Sequence, residues 1–382
     1  MKRNLITLLI CGVLSPIGIL AQNKIVIPDT DKHIILTGDM HMHTIFSDGN
    51  VWPTTRVEEA SSEGIEVICI TDHLDGRHQK LVNQGIANVD RNYSYDVAVK
   101  RGKKLDVIVI KGAEISRSMP PGHFNTIFIS DAEPIAKASD AHDDHQKGML
   151  AGLKQAQKQN AFCTWNHPHW SAHQPLEVKW HPEHEEIFNK GLMQGLEVYN
   201  SCDGFSFEAF QWALDRNLTL ICGTDVHTPI FREYNFPVGE LRPVTLIFAN
   251  EKSEAGVQEA LINRRTAVFA DGCVYGREEQ LTELLSAVLT IESINDSKYG
   301  PSVVLKNNSS IPLRMKRVEN PDSNVTYPRF KVIYPFETES YLCRGLEYKV
   351  PLKATEFLLA FEVENFYTAP GQNLIYNIAI KR

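Results

Sequence analysis

From residue 34 onward, short apolar runs rich in β-branched residues alternate with polar stretches in which apolar positions recur every three or four residues. The strand-like runs fall at 34–37, 65–71, 105–111, 126–129, 161–165, 196–199, 218–222 and 244–248. Between them the spacing predicts helices near 53–63, 93–103, 143–159, 205–216 and 254–264. This alternation predicts the α/β class, as a barrel or a wound parallel sheet. After about residue 283 the helical spacing fades. Short strand-like stretches at 303–305, 330–334, 357–363 and 375–380 are separated by Asn, Pro, Ser and Gly. Residues 283–382 therefore read as a separate, small, all-β, sandwich-like domain.

Residues 1–22 have a different pattern: Lys2 and Arg3, an apolar stretch over 5–20, then Ala21 before Gln22. That is the arrangement of a secretory signal. Gly12, Ser15, Pro16 and Gly18 interrupt the apolar run, which disfavours a membrane anchor. Leu8, Leu9 and Ile10 precede Cys11 where a lipoprotein would carry a small residue. The expectation is a signal peptide over 1–21, export to the periplasm or medium, and no stable membrane anchor after cleavage.

Charge narrows the partners. The chain has 39 Lys and Arg against 47 Asp and Glu; losing Lys2 and Arg3 leaves 37 against 47, a net charge of −10. Such an acidic chain is a poor binder of long nucleic acid. Six cysteines follow the signal with no CxxC spacing, and Cys69, Cys163 and Cys222 sit in apolar runs, as buried free thiols would.

The chemistry lies where polar residues meet strand ends. Five predicted strands run into His41-Met42-His43, Asp72-His73, Glu114, His167 and Asp225-Val226-His227. In a parallel barrel such ends converge on one face. His41 and His43 are two apart, so an extended backbone points both side chains the same way, and Asp225 and His227 are expected to repeat that geometry. Imidazole and carboxylate without thiolate suit Zn, Mn or Fe and disfavour a purely structural zinc site.

In chain order the set is His41, His43, Asp48, His73, Glu114, His123, His167, Asp225 and His227. This ordered pattern resembles the polymerase and histidinol phosphatase (PHP) domain family over roughly residues 33–275. With its leader and β domain the chain is most similar to secreted bacterial members described as phosphodiesterases. The resemblance implies a distorted (β/α)7 barrel over 22–282 and two or three divalent ions (Mn, Zn or Fe). His41, His43, Glu114 and Asp225 would hold the first ion, Glu114, His123 and His167 the second, and Asp48, His73 and His227 the third. The implied activity is hydrolysis of a small phosphodiester by a hydroxide bridging the ions, in a trinuclear site. A phosphomonoesterase of the same family is the alternative. From another class comes an exported glycan- or partner-binding protein on a retired scaffold, although a retired site should have lost ligands. Oligomerisation is left open.

Around the ions, Arg117 is the first choice for meeting transition-state charge and Arg232 the second. His169 is the candidate general acid, and Asp72 a catalytic group or one that orients a ligand. Arg117, Arg232, Trp170, Tyr199 and Asn200 are expected to touch substrate, with Trp165 in the core. The His- and Asp-rich stretches 140–145 and 181–185 read as solvated helix starts.

Overall fold

The computed structural model describes residues 24–77, 90–170, 178–319, 325–346 and 352–382. The expected leader lies outside these residues. No helix among them is long and apolar enough to cross a membrane.

The first module contains β1 (Ile34–Asp39), β2 (Val67–Ile70), β3 (Ile108–Ser116), β4 (His123–Ile127), β5 (Phe162–Trp165), β6 (Gly195–Asn200), β7 (Gly204–Phe205), β8 (Thr219–Gly223), β9 (Val244–Ala249), β10 (Thr266–Ala270) and β11 (Cys273–Gly276). The helices are α1 (Pro53–Glu63), α2 (Tyr93–Leu105), α3 (Glu133–Asp140), α4 (His145–Gln157), α5 (Pro182–Asn189), α6 (Phe207–Asp215), α7 (Glu254–Ile262) and α8 (Glu278–Val288). Side chains of Asp144, Ser206 and Ser253 cap α4, α6 and α7. Helix α5 begins at the helix start expected at 181–185, whereas α3 and α8 were not anticipated; at eight residues α3 is too short to show a clear period.

The expected α/β barrel is present, but its sheet is mixed. β1, β2 and β3 are parallel neighbours, as are β5, β6 and β8. β4 runs antiparallel between β3 and β5, and β9 antiparallel to β1 and β10. Threonine side chains join β8 to the far edge: Thr245 Oγ1 bonds the Cys222 carbonyl (3.1 Å) and amide (2.9 Å), and Thr266 Oγ1 donates to the Leu220 carbonyl (2.9 Å). The reversal of β4 matters for the site. It presents its first residue, His123, at the end where its neighbours present their last.

Alternation along the strands divides the core. Leu36, Val67, Cys69, Ile110, Phe162, Ile221 and Ile247 fill the barrel interior with Val257, Ala260 and Leu261 of α7. The outward set, including Ile35, Ile68, Ile70 and Leu246, belongs to a second cluster that continues into the C-terminal module.

That module comprises β12 (Leu289–Ser297), β13 (Gly300–Asn307), β14 (Leu313–Arg317), β15 (Val325–Thr326), β16 (Phe330–Ile333), β17 (Thr338–Leu342), β18 (Arg344–Gly345), β19 (Glu356–Ala369) and β20 (Gln372–Lys381). It is all-β, as expected, but it continues the barrel's sheet: β19 pairs in parallel with β11, Val274 opposite Phe366 and Tyr275 opposite Tyr367. Buried Asn365 reinforces the joint by donating to the Gly272 and Pro312 carbonyls, both at 2.7 Å.

Candidate metal centre

The strand ends bring all nine candidate donors together. Glu114, at the C-terminal half of β3, lies at the centre. Its Oε2 faces His41 Nε2 (3.5 Å), His43 Nε2 (3.4 Å) and His73 Nδ1 (2.9 Å). Its Oε1 faces His123 Nδ1 (2.8 Å) and His167 Nε2 (3.6 Å). Asp225 Oδ1 lies 2.9 Å from His43 Nε2 and 3.3 Å from His41 Nε2. On the other side, Asp48 Oδ1 lies 3.1 Å from His227 Nε2 and 3.4 Å from His73 Nε2. Three donor groups result: His41, His43 and Asp225; Glu114, His123 and His167; and His43, Asp48, His73 and His227.

This donor set fits cations. Glu114 Oε2 and Asp48 Oδ1 are buried and accept no hydrogen bond of acceptable geometry, although imidazole nitrogens crowd both. His41 Nε2 and His43 Nε2 approach to 3.1 Å, so two nitrogens with the same preference share one space. Nitrogen and oxygen donors around a common centre satisfy one another when a divalent ion lies between them.

The electrostatics agree. Burial works against a charged Glu114, but His73 and His123 outweigh it and hold the carboxyl well below its usual range. Burial likewise opposes charge on His73, yet Glu114 and Asp48 push it up to about 9. His43 is pulled down to about 4 by burial and the neighbouring His73 charge. The carboxylates raise the proton affinity of His41, His73 and His227, and a divalent cation held among them would compete with those protons.

A surrounding layer aims these side chains. Buried Glu197 accepts from His41 Nδ1 (2.7 Å), the His167 amide (2.8 Å) and Asn200 Nδ2 (3.1 Å). With Nδ1 committed, His41 presents Nε2 to the centre. Ser47 Oγ lies 3.4 Å from His43 Nδ1, and Ser116 Oγ 2.7 Å from His73 Nδ1. Asn166 Nδ2 donates to Glu114 Oε1 at 3.2 Å. Residue 223 must be glycine, because a Cβ there would meet His41 Cβ and lie 2.6 Å from Glu197 Oε1.

Backbone ties hold the loops. Fully buried Arg56 of α1 donates to the carbonyls of His43, Val226 and Thr228, each at 2.9 Å. Charged hydrogen bonds of this kind each contribute roughly 1.5–3 kcal/mol. His167 (φ 30°) and Asp225 (φ 55°) have left-handed backbones. Such conformations cost about 1–3 kcal/mol and persist only where neighbours fix them; here the Asp225 amide donates to the His41 carbonyl at 2.8 Å. The extended geometry expected at Asp225 is therefore corrected, although its carboxylate still reaches the centre.

The placements of Asp72, Arg117, Tyr199 and Asn200 correct further expectations. Asp72 does not face the donors: its carboxylate accepts from the Thr44 amide (2.8 Å), Thr44 Oγ1 (2.7 Å) and Ser47 Oγ (2.7 Å), fixing the loop between His43 and Asp48. Arg117 turns away to the end of α3, where Nη2 donates to Ser139 Oγ at 2.7 Å, and it lies across Gly148 of α4. Arg232 is exposed on the turn Ile230–Arg232. His169 is exposed near Asp203 and outside the donor cluster. Tyr199 donates its hydroxyl to Asp271 (2.9 Å), and Asn200 is occupied by Glu197 and the Cys202 amide.

Trp170 does reach the site, with its ring centroid 5.1 Å from that of His167 and 5.6 Å from that of His123. Trp165 is core, stacked on His184 at 3.7 Å. His184 is consequently buried, not solvated, and burial pulls it down to about 3. All six described cysteines are free thiols.

The sequence reading missed Glu197 as an orienting group, Arg56, and Arg77, whose Nη1 lies 3.7 Å from Asp48 Oδ2. Glu197 was detectable as a charge inside an apolar strand; the other two leave no pattern. A cleft of about 1680 Å³ lies elsewhere, between the barrel and the C-terminal module, with Arg101, Val238, Arg314, Tyr334 and Phe336 among its lining.

Known proteins place this architecture. The PHP domain family matches residues 39–202 and an Ig-like domain family matches residues 289–379. A crystal structure of a two-domain protein from Bacteroides vulgatus ATCC 8482, containing a predicted PHP-like metal-dependent phosphoesterase, is 37% identical with a TM-score of 0.84, covering 94% of this chain and 99% of that one. The chain belongs to the PHP-like metal-dependent phosphoesterases. Members of this PHP family are hydrolases acting on phosphate esters.

More distant solved structures include a Lactococcus lactis histidinol phosphate phosphatase complexed with zinc, L-histidinol and phosphate (16% identity, TM-score 0.31, 50% of this chain and 87% of that one). Another is a Chromobacterium violaceum amidohydrolase with bound sulfate and no metal (14% identity, TM-score 0.35, 54% and 97%). No curated protein matches the chain.

Proposed function

We propose that this phosphoesterase hydrolyses a small phosphodiester outside the cytoplasm, using two or three ions of Mn, Zn or Fe. The observation that carries the reading is Glu114, whose two oxygens face different histidine sets, as a carboxylate bridging two ions requires. Ions held there by Glu114 and its histidines would supply positive charge for the phosphoryl oxygens and would make a water more acidic.

The chain's own residues supply orientation. Glu197 and Ser47 turn His41 and His43 towards the centre, Asp72 anchors the loop carrying Asp48, and Trp170 walls the His123–His167 side. The preference for a diester rests on charge: Arg77 is the one described arginine or lysine within 4.0 Å of a donor carboxylate. One guanidinium in an acidic chain suits a singly charged ester better than a doubly charged one. Export rests on residues 1–21 and is tested by the N-terminus of the mature protein, expected at Gln22.

Elemental analysis of the chain lacking residues 1–21 should find two or more ions. Turnover of bis(p-nitrophenyl) phosphate should exceed that of p-nitrophenyl phosphate and vanish in a His41→Ala, His43→Ala double variant. Monoester preference would convert the reading to a phosphatase. Fewer than two ions under every metal condition, with neither ester cleaved, would end it.

A further inference from the structure

Arg77 lies beyond β2 in the segment Asp72-His73-Leu74-Asp75-Gly76-Arg77. Asp75 grips one edge of its guanidinium: Nε lies 3.1 and 3.2 Å from the two carboxylate oxygens and Nη2 2.8 Å from Oδ2. The Arg77 amide also donates to Asp75 Oδ1 at 2.9 Å. The other edge, Nη1, is turned to Asp48 Oδ2 at 3.7 Å, beyond hydrogen-bond length, so its protons remain available. The second oxygen of Asp48 belongs to the donor set of His73 and His227.

Exposure gives this placement its direction. Side chains of Arg77, His227 and Asp48 are 33%, 33% and 28% exposed, whereas those of His41, His43 and Glu114 are fully buried. An anion entering from solvent meets Arg77 and the outermost donor set together. A bidentate carboxylate has already fixed the guanidinium plane, so binding loses little rotamer freedom. As a stability device the pair is worth little, because exposed ion pairs contribute only about 0–1 kcal/mol.

We propose that Arg77, held in place by Asp75, binds a non-bridging phosphoryl oxygen of the substrate at the open side of the donor cluster. Arg77 is then a substrate-contacting residue and Asp75 a positioning residue. The inference rests on the phosphoesterase reading above.

The test uses the metal-loaded chain with two independent readouts: inorganic phosphate affinity by calorimetry, and kcat/KM on bis(p-nitrophenyl) phosphate. Arg77→Ala should weaken phosphate binding at least tenfold and lower kcat/KM by about 10²-fold, with metal content and melting temperature unchanged. Arg77→Lys should recover only part of this because it lacks the fork. Asp75→Asn should lower kcat/KM by a smaller factor and leave the ions in place. Unchanged phosphate affinity in Arg77→Ala would overturn the clamp, as would loss of an ion in that variant. Phosphate affinity decides the matter even if the wild-type chain cleaves neither ester, so failure of the clamp and failure of the diester reading are told apart.

Discussion

Around Glu114 the donors are buried, and His41, His43 and His73 are each turned by a neighbour: Glu197, Ser47 and Ser116. Asp48 and His227 are instead about one-third exposed, and His227 is oriented by its own segment, through the Asp225 carbonyl at 2.7 Å from Nδ1. The first region is built as protein interiors are, with orienting bonds that fix the ligands before any ion arrives. The second is built as a doorway. An ion at the buried side should be bound tightly and exchange slowly, and one at the open side should exchange with solvent and share its coordination with substrate.

The largest effect should come from Glu114→Gln, which removes the carboxylate common to both histidine sets. Elemental analysis should show at least two ions lost and turnover at background; retention of all ions would mean that the buried side does not depend on its central bridge. Glu197→Gln keeps the shape but weakens the orienting charge on His41. Chelator competition should show metal affinity falling by about 10–100-fold, and an unchanged affinity would remove the distinction between the two sides. Asp48→Asn should cost the open-side ion alone, with the buried ions at full stoichiometry.

The smallest effect concerns an imidazole outside the cluster. His184 donates from Nε2 to the Pro121 carbonyl at 2.7 Å and stacks on Trp165, and burial pulls it down to about 3 from the ordinary imidazole value of 6.5. Its folded pKa lies below the unfolded one, so its contribution to stability is complete above pH 6.5 and is lost as pH falls towards 3. The loss is on the order of 1 kcal/mol per pH unit. Denaturant titrations from pH 7 to 4 should show the wild type losing stability relative to His184→Gln. Parallel curves would place His184 in contact with solvent.

The buried region was far more legible in the sequence than the open one. His41, His43, His73, Glu114, His167 and Asp225 stand at or just beyond strand ends, so period and position predict their convergence. The reversal of β4 left no signal, because strand direction depends on partners distant in sequence. Arg117 is three residues beyond Glu114, but β3 ends at Ser116 and the chain turns out to meet α3. Arg77 is four beyond His73 with no apolar period around it, and only folding shows that Asp75 turns it back towards Asp48. Tyr199 failed as a pocket residue because its hydroxyl is directed to Asp271.

The ladder between β11 and β19 bears on how the chain comes apart. Leu281, Leu284, Leu285 and Val288 of α8 share one apolar cluster with Phe361, Val363 and Phe366 of β19 and with Ile35 and Val57 of the barrel. Cutting the chain between the two family matches would expose an unpaired strand edge and a greasy helix face, an invitation to aggregation. Two modules recognisable separately by sequence are therefore expected to melt as one cooperative unit. Recombination that transplanted the phosphoesterase would have to carry the Ig-like half along with it.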